Sequence, residues 1–433
     1  MTTTVSTNLK RDFFKYASAN ILGMIGFSLY ILADTFFVAN AAGPTALAAL
    51  NITLPYYNVF NGLGMMIGVG GATRFALNRS KSIFTQSFFL LLLIALPVFV
   101  LGVFFTEPVV RFMGANDETV DLAVAYLRTL CSFSPMFMMN NLFMAFIRND
   151  GSPELAMAGM LASSFSNMIM DYVLMYPCGM GLFGAALATG VSPIASMGIM
   201  SIHFIKKKHT FHFVKEKPDP AHWKDIFSLG LFAFVTELAS GVAIFLYNYL
   251  ILDLAGNIGV AAYGVVANIA LVVIYIFTGI SQGLQPVASN CISHGQTEDA
   301  HKIRRYGWIT AIVISIVFYL AIFFFTDPIV AAFNSEKNEQ LAAIARHGLL
   351  LYCIGLFFAG INVVSVAYQS AVGNGGRAFF LSILRGILLL APTAFLLSKL
   401  LGMTGIWLSL AVTEILVLLI VWFMERKTQR NKL

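Results

Sequence analysis

From residue 13 the chain reads FFKYASANILGMIGFSLYILADTFFVA, apolar on every side for seven turns and broken by a single carboxylate, Asp34. Runs of this kind recur to the carboxyl end, separated by short polar connections. Each is long enough to cross a hydrocarbon core of roughly 30 Å at about 1.5 Å per residue. The pattern predicts twelve spanning helices, over residues 13-39, 45-73, 83-105, 122-147, 154-175, 181-205, 226-253, 260-290, 304-326, 341-370, 377-400 and 402-424. The expected fold class is an all-α integral membrane protein.

The halves repeat. FFTEPVV (104-110) returns as FFTDPIV (324-330), AFIRNDG (145-151) more loosely as AYQSAVG (367-373), and GLFGAALA (181-188) as GMTGIWLS (402-409). The offsets, 220 to 222, are nearly constant. Six spans per repeat bring each half into the membrane from the same side, so the repeat axis runs along the membrane normal, as in transporters. The expected organisation is an amino-terminal lobe (1-205), a polar linker (206-225) and a carboxyl-terminal lobe (226-433).

Composition agrees with this picture: 58% of the 433 residues are apolar and 11% charged, against roughly a quarter charged in soluble domains. The net charge of +6 points to orientation rather than to nucleic acid. Of 27 Lys and Arg, 21 fall at the termini and in the even-numbered connections. The odd-numbered connections hold Arg111, Lys337 and Lys399. Both termini are therefore expected in the cytoplasm. The basic amino end runs into Asp34 without an A-x-A cleavage site, which argues against a removed signal peptide. Cys131, Cys178, Cys291 and Cys353 form no C-x-x-C pair and read as lipid-buried thiols.

Four acids stand well inside spans: Asp34, Asp171, Glu237 and Glu414. Each costs about 2.5 to 3.5 kcal/mol on insertion scales, so each needs a partner, water or a function. Counted along their helices, Asp34, Asp171 and Thr189 fall at similar depth in the outer half, with Asn167 one turn before Asp171 and Ser164 a turn before that. Two carboxylates, an amide and a hydroxyl could ligate a small cation such as Na+. Alternatively, paired carboxylates could hold a proton; a polar cluster that only fixes helix packing would also use these residue types. Glu237 and Glu414 fall near the midplane, and Glu414 has Arg385 as a possible ion-pair partner. Asn140 and Asn141, within a span, suit a cavity wall. Gln282, Gln285 and Pro286 suit either a kink or a cavity. Flexible thioethers, 17 of 19 before residue 201, suit a promiscuous apolar cavity as well as ordinary packing.

The stretches LADTFFVANAAGPTALAAL, IRNDGSPELAMAGMLASSFSNMIMDYVL, GMGLFGAALAT, AAYGVVANI and GISQGLQPVASN together resemble the multidrug and toxic compound extrusion family, in its prokaryotic DinF-like branch. The resemblance covers essentially the whole chain. It implies a twelve-helix exporter in the bacterial cytoplasmic membrane, with two six-helix lobes around a cavity. It would exchange cationic or amphiphilic drug-like compounds for H+ or Na+, with antibiotic resistance as a consequence. The resemblance places Asp34, Asn167, Asp171 and Thr189 at cation-binding positions of the first lobe, and Glu237 near a helix 7 acid of another branch, which implies a substrate or second coupling role; Glu414 is the second candidate for that role. No cofactor besides the coupling ion and no nucleic acid is expected, and membrane lipid surrounds a monomer. One departure stands out: relatives commonly carry a proline in the first half of helix 1, and this chain has none from 13 to 39, leaving Gly23 and Gly26 as the places to bend.

A flippase for lipid-linked sugars shares this architecture and would need several cations in its cavity to hold pyrophosphate. A membrane-embedded enzyme using Asp34 and Asp171 as a dyad is the distant alternative. No G-x-G-D or H-E-x-x-H signature supports it, and a non-enzyme is expected.

Overall fold

A computed structural model of the chain describes residues 8–78, 80–206, 209–334 and 338–430. Arg79, Lys207, Lys208, Lys337 and Lys432, used above for orientation, and the first seven residues lie outside it. The described residues are helical almost throughout and contain no strand.

Twelve spans are present. Spans 1 to 3 are single helices, Leu9–Ala41, Gly43–Asn78 and Ser82–Phe104. Span 4 is two pieces, Val120–Ser132 and Ser134–Asn149, bent by 45°. Spans 5 and 6 are Pro153–Met175 and Gly181–Met200, the latter with a short helical continuation to Ile205. Pro220–Ser293 holds spans 7 and 8, joined at Gly256, where φ is 61°. Span 9 opens Thr297–Phe333. Span 10 is again two pieces, Glu339–Tyr352 and Ile354–Ala371. Span 11 starts at Gly375 and passes through a π-turn at Leu384–Leu388, and span 12 follows Gly402.

Length and apolarity alone select seven of the described helices, or eight with the bent pair. Spans 2 and 5 fall short of that test because they carry Asn51, Asn58, Asn61, Asn167 and Asp171. Of these, Asn61, Asn167 and Asp171 are buried.

The sequence repeats reappear as repeated geometry. Phe105 (φ −116°, ψ 29°) and Phe325 (φ −116°, ψ 21°) break the helix at the same point of the FFT motif. The following threonines, Thr106 and Thr326, cap the broken turn by bonding Gly102 O and Ile322 O. Gly151 and Gly373 turn the chain at φ 87° and 85°, and Gly181 and Gly402 open spans 6 and 12 at φ 53° and 58°. These left-handed values are open to glycine at little cost, which fixes the residue type at both places.

An even number of spans brings both termini to one end. The lobes meet at that end. There Gly70 and Gly230 bring spans 2 and 7 into backbone contact: a Cβ on Gly230 would lie 1.8 Å from Met66 O. Gly279 and Gly283 set span 8 against Ile21 and Ala17 of span 1 in the same way. Arg74 adds an ion pair to Asp225 at 2.8 Å. Toward the far end, Leu29 and Phe36 on span 1 and Phe245, Tyr249 and Leu252 on span 7 are exposed. The lobes are thus closed at the terminus-bearing end.

Two expectations change. Span 1 runs as an unbroken helix, and Gly23 and Gly26 serve close packing rather than bending, because Met160 and Leu161 of span 5 occupy the space their Cβ atoms would need. Cys131, Cys291 and Cys353 are buried, but Cys178 sits exposed in the turn between spans 5 and 6.

Candidate functional site

Asp34 lies seven residues from the end of span 1 and Asp171 four residues from the end of span 5, about 10 and 6 Å along their axes. Spans 1 and 5 pack against each other, which brings the two carboxylates to the same end of the first lobe. Asp171 and Asn167 are buried on one face of span 5, and Thr189 is buried opposite them on span 6. In the amide orientation that satisfies both of its ends, Asn167 donates to Asp171 Oδ2 at 3.0 Å and accepts from the Thr189 hydroxyl at 3.1 Å and the Thr189 amide at 3.2 Å. Asp34 Oδ1 and Asp171 Oδ1 are shielded from solvent and have no hydrogen-bond partner. Ser164 is not part of the group, since its hydroxyl bonds Met160 O on its own helix at 3.0 Å.

An unpartnered carboxylate oxygen is costly away from water. Two of them at one site leave acceptor capacity that a proton or a hard cation would fill. No group of three or more His, Cys, Asp or Glu suited to a metal occurs among the described residues. A sodium ion would therefore draw on the Asn167 and Thr189 oxygens as well as the two carboxylates.

A cavity of ≈ 80 Å³ lies between the lobes, room for a few waters. Its walls continue the same helix faces. Tyr30 lies one turn from Asp34, Ser163 one turn from Asn167, and Ser192 one turn from Thr189. The carboxylate pair is thus stacked directly beyond the cavity, on the side away from the termini. Glu237, Asn140, Asn141 and Gln282 all line the cavity. Asn141 donates to Asn61 Oδ1 at 3.0 Å, and Glu237 packs against the neighbouring Gly62, so spans 2, 4 and 7 meet at this wall. Asn140 Oδ1 is shielded and unpartnered. Met24, Met65, Met144 and Met160 supply deformable wall, with rings from Phe27, Tyr57 and Tyr275. Gln285 and Pro286 are buried behind Gln282, outside the lining.

Glu414 does not join this group. It is buried in the second lobe, where Arg385 binds its Oε1 at 2.6 Å and Asn362 its Oε2 at 2.7 Å. At the shorter offset of 213 to 215, Asp34 meets YNY (247-249) in the second lobe; there Tyr247 is fully buried, packs edge-on and tilted against Tyr352 and Tyr263, and bonds Ser409 at 2.9 Å.

Two residues were missed. Tyr126 on span 4 is buried in one cluster with Met175 of span 5 and Ala185 and Ala186 of span 6. Arg148 was counted with the connection after helix 4, yet it is 3% exposed and lines the cavity. The spacing Asn140, Met144, Arg148 puts all three on one helix face and was the available signal.

The family model for MatE matches the chain twice, over residues 20–173 and 233–396. The multidrug export protein MepA of Staphylococcus aureus (strain MRSA252) is 28% identical over 414 residues, covering 91% of this chain and 88% of its own. A protein of the same name from Staphylococcus saprophyticus is 27% identical over 404 residues, with the same coverage. Among solved structures, a MATE crystal structure in complex with MaL6 superposes with a TM-score of 0.92 at 22% identity, over 99% of this chain and 100% of that one. A MATE family transporter in an outward-facing conformation gives 0.89 at 22% identity, over 98% and 97%. The double match across both six-span halves, on a fold that superposes over its whole length, makes this chain a member of the MatE family, the multidrug and toxic compound extrusion family of membrane transporters.

Proposed function

We propose that the protein is a secondary multidrug exporter. It moves cationic or amphiphilic compounds out of the cytoplasm by alternating access, in exchange for H+ or Na+ entering at Asp34 and Asp171. The observation that carries this reading is the pair of shielded, unpartnered carboxylate oxygens placed one to two helical turns beyond the interlobe cavity. With the ion bound, the carboxylate repulsion is relieved and spans 1, 5 and 6 close on one another. With it absent, the uncompensated charge favours a different arrangement of the first lobe and thereby a different cavity. The curated relatives named as multidrug export proteins support the substrate class. Small-molecule substrates fit the Met-rich and aromatic wall, and the cavity must widen to admit them, since ligand sites commonly measure roughly 300 to 1,000 Å³.

The termini are proposed to be cytoplasmic, so the closed end faces the cytoplasm. A flippase for lipid-linked sugars is less well supported: the lining carries one guanidinium, Arg148, beside one carboxylate, Glu237, rather than a basic cradle.

Efflux of a cationic dye from proteoliposomes under separately imposed proton and sodium gradients tests ion and site together. Asp34→Asn and Asp171→Asn are expected to abolish gradient-driven efflux while leaving dye binding within about threefold, as neither residue lines the cavity. Full transport by both variants would overturn the assignment.

A further inference from the structure

Arg148 is a buried guanidinium with no acid to balance it among the described residues. Its nearest acid in sequence, Asp150, is engaged by His203 at 2.9 Å and by the Thr210 amide at 2.8 Å. Glu154 pairs with Lys15 at 3.1 Å. Burying a cation without a counter-charge is costly, and Arg148 meets this with amides alone. Its Nη1 donates to Asn20 Oδ1 on span 1 at 3.0 Å and to Gln282 Oε1 on span 8 at 2.6 Å. Its Nε has no partner. One edge of the guanidinium is therefore held by the two lobes, while the Nε–Nη2 edge, which grips carboxylates with two parallel bonds, is left without a protein acceptor. Glu237 on span 7 is the one acid that lines the same cavity.

We propose that Arg148 is the anion-recognition residue of the cavity: it takes the carboxylate of zwitterionic substrates whose cationic group goes to Glu237. The inference rests on the exporter reading and deepens it by naming a substrate class and the residue that selects it. The contact also links recognition to conformation. Gln282 belongs to the second lobe, so parting the lobes at the terminus-bearing end removes one acceptor from Nη1 and leaves the guanidinium short of partners when substrate enters. A substrate carboxylate supplies the missing charge and acceptors. A purely cationic compound makes no use of them.

A rhodamine with a free carboxylate and its ethyl ester differ in this one anionic group, so the pair isolates Arg148. Binding of each is followed by fluorescence anisotropy to the full-length protein in nanodiscs. Arg148→Gln is expected to weaken the free-acid dye about tenfold or more and the ester less than about twofold, the usual size of a lost charge-assisted bidentate contact. The ratio of the two affinities within one sample does not depend on the folded fraction. Where the neutral variant fails to fold, Arg148→Lys keeps the charge, loses the fork and is expected to lower the ratio about threefold. Equal weakening of both dyes would reduce Arg148 to a lobe fastener and overturn the proposal, as would an unchanged ratio in either variant. Failure of the wild type to bind the ester would instead count against the multidrug cavity itself.

Discussion

At the scale of single residues, the same type of group has opposite fates in the two lobes. Asp34 and Asp171 keep oxygens without partners. Glu414 has every oxygen engaged, by Arg385 and Asn362, on a span that faces a π-turn carrying the arginine. Removing one member of a buried pair strands the other, so Arg385→Met is expected to destabilise by about 3 to 5 kcal/mol, whereas Arg385→Met with Glu414→Leu costs much less. Thermal unfolding in detergent reads the difference, and equal losses would mean that Glu414 does not depend on the arginine. Glycine is the other decisive residue. Gly230→Ala puts a methyl 1.8 Å from Met66 O, where neither backbone can yield without parting spans 2 and 7. Spin labels at the terminus-bearing ends of these spans should report a longer separation in the variant; an unchanged distribution would show that the lobes close elsewhere.

At the scale of elements, the linker behaves as part of the first lobe. Phe211 is fully buried among Phe75, Phe84 and Phe146. Val214 N bonds Thr85, and Gln86 receives Asp219 N and donates to Lys217 O. Span 7 then starts at Asp219, whose carboxylate caps Ala221 N at 2.9 Å and contacts His222 at 2.6 Å, and both hold it below the usual carboxylate range. A depressed carboxylate stabilises only while ionised. This cap is therefore at full strength above the ordinary Asp value near 4 and fades as pH falls through the depressed one.

At the scale of the molecule, twelve spans place both termini at one end and the turn after span 5 at the other. Cys178 in that turn is exposed, while Cys131, Cys291 and Cys353 are buried, so the native chain carries its own topology marker. An impermeant maleimide added to intact cells should label the wild type and not Cys178→Ser. Labelling confined to inverted vesicles would reverse the orientation.

The sequence by itself determined the span count and the repeat, and it named the residues of the candidate site. Membrane-length apolar runs, repeated motifs and intramembrane acids are local signals, and the bilayer leaves helices as the one open-chain solution for their backbones. Depth counting put Asp34, Asn167, Asp171 and Thr189 at one level because helical rise is constant. Tertiary structure alone decided which partners were within reach. It gave Glu414 its arginine and left Asp34 and Asp171 with free oxygens. It drew Arg148 out of a presumed connection into the cavity and turned Gly23 and Gly26 from hinges into packing surfaces. Each of these depends on which helix face meets which neighbour across tens to hundreds of residues. One-dimensional hydropathy records that a residue is polar and how deep it lies, and the helix packed against it decides whether that polarity is satisfied.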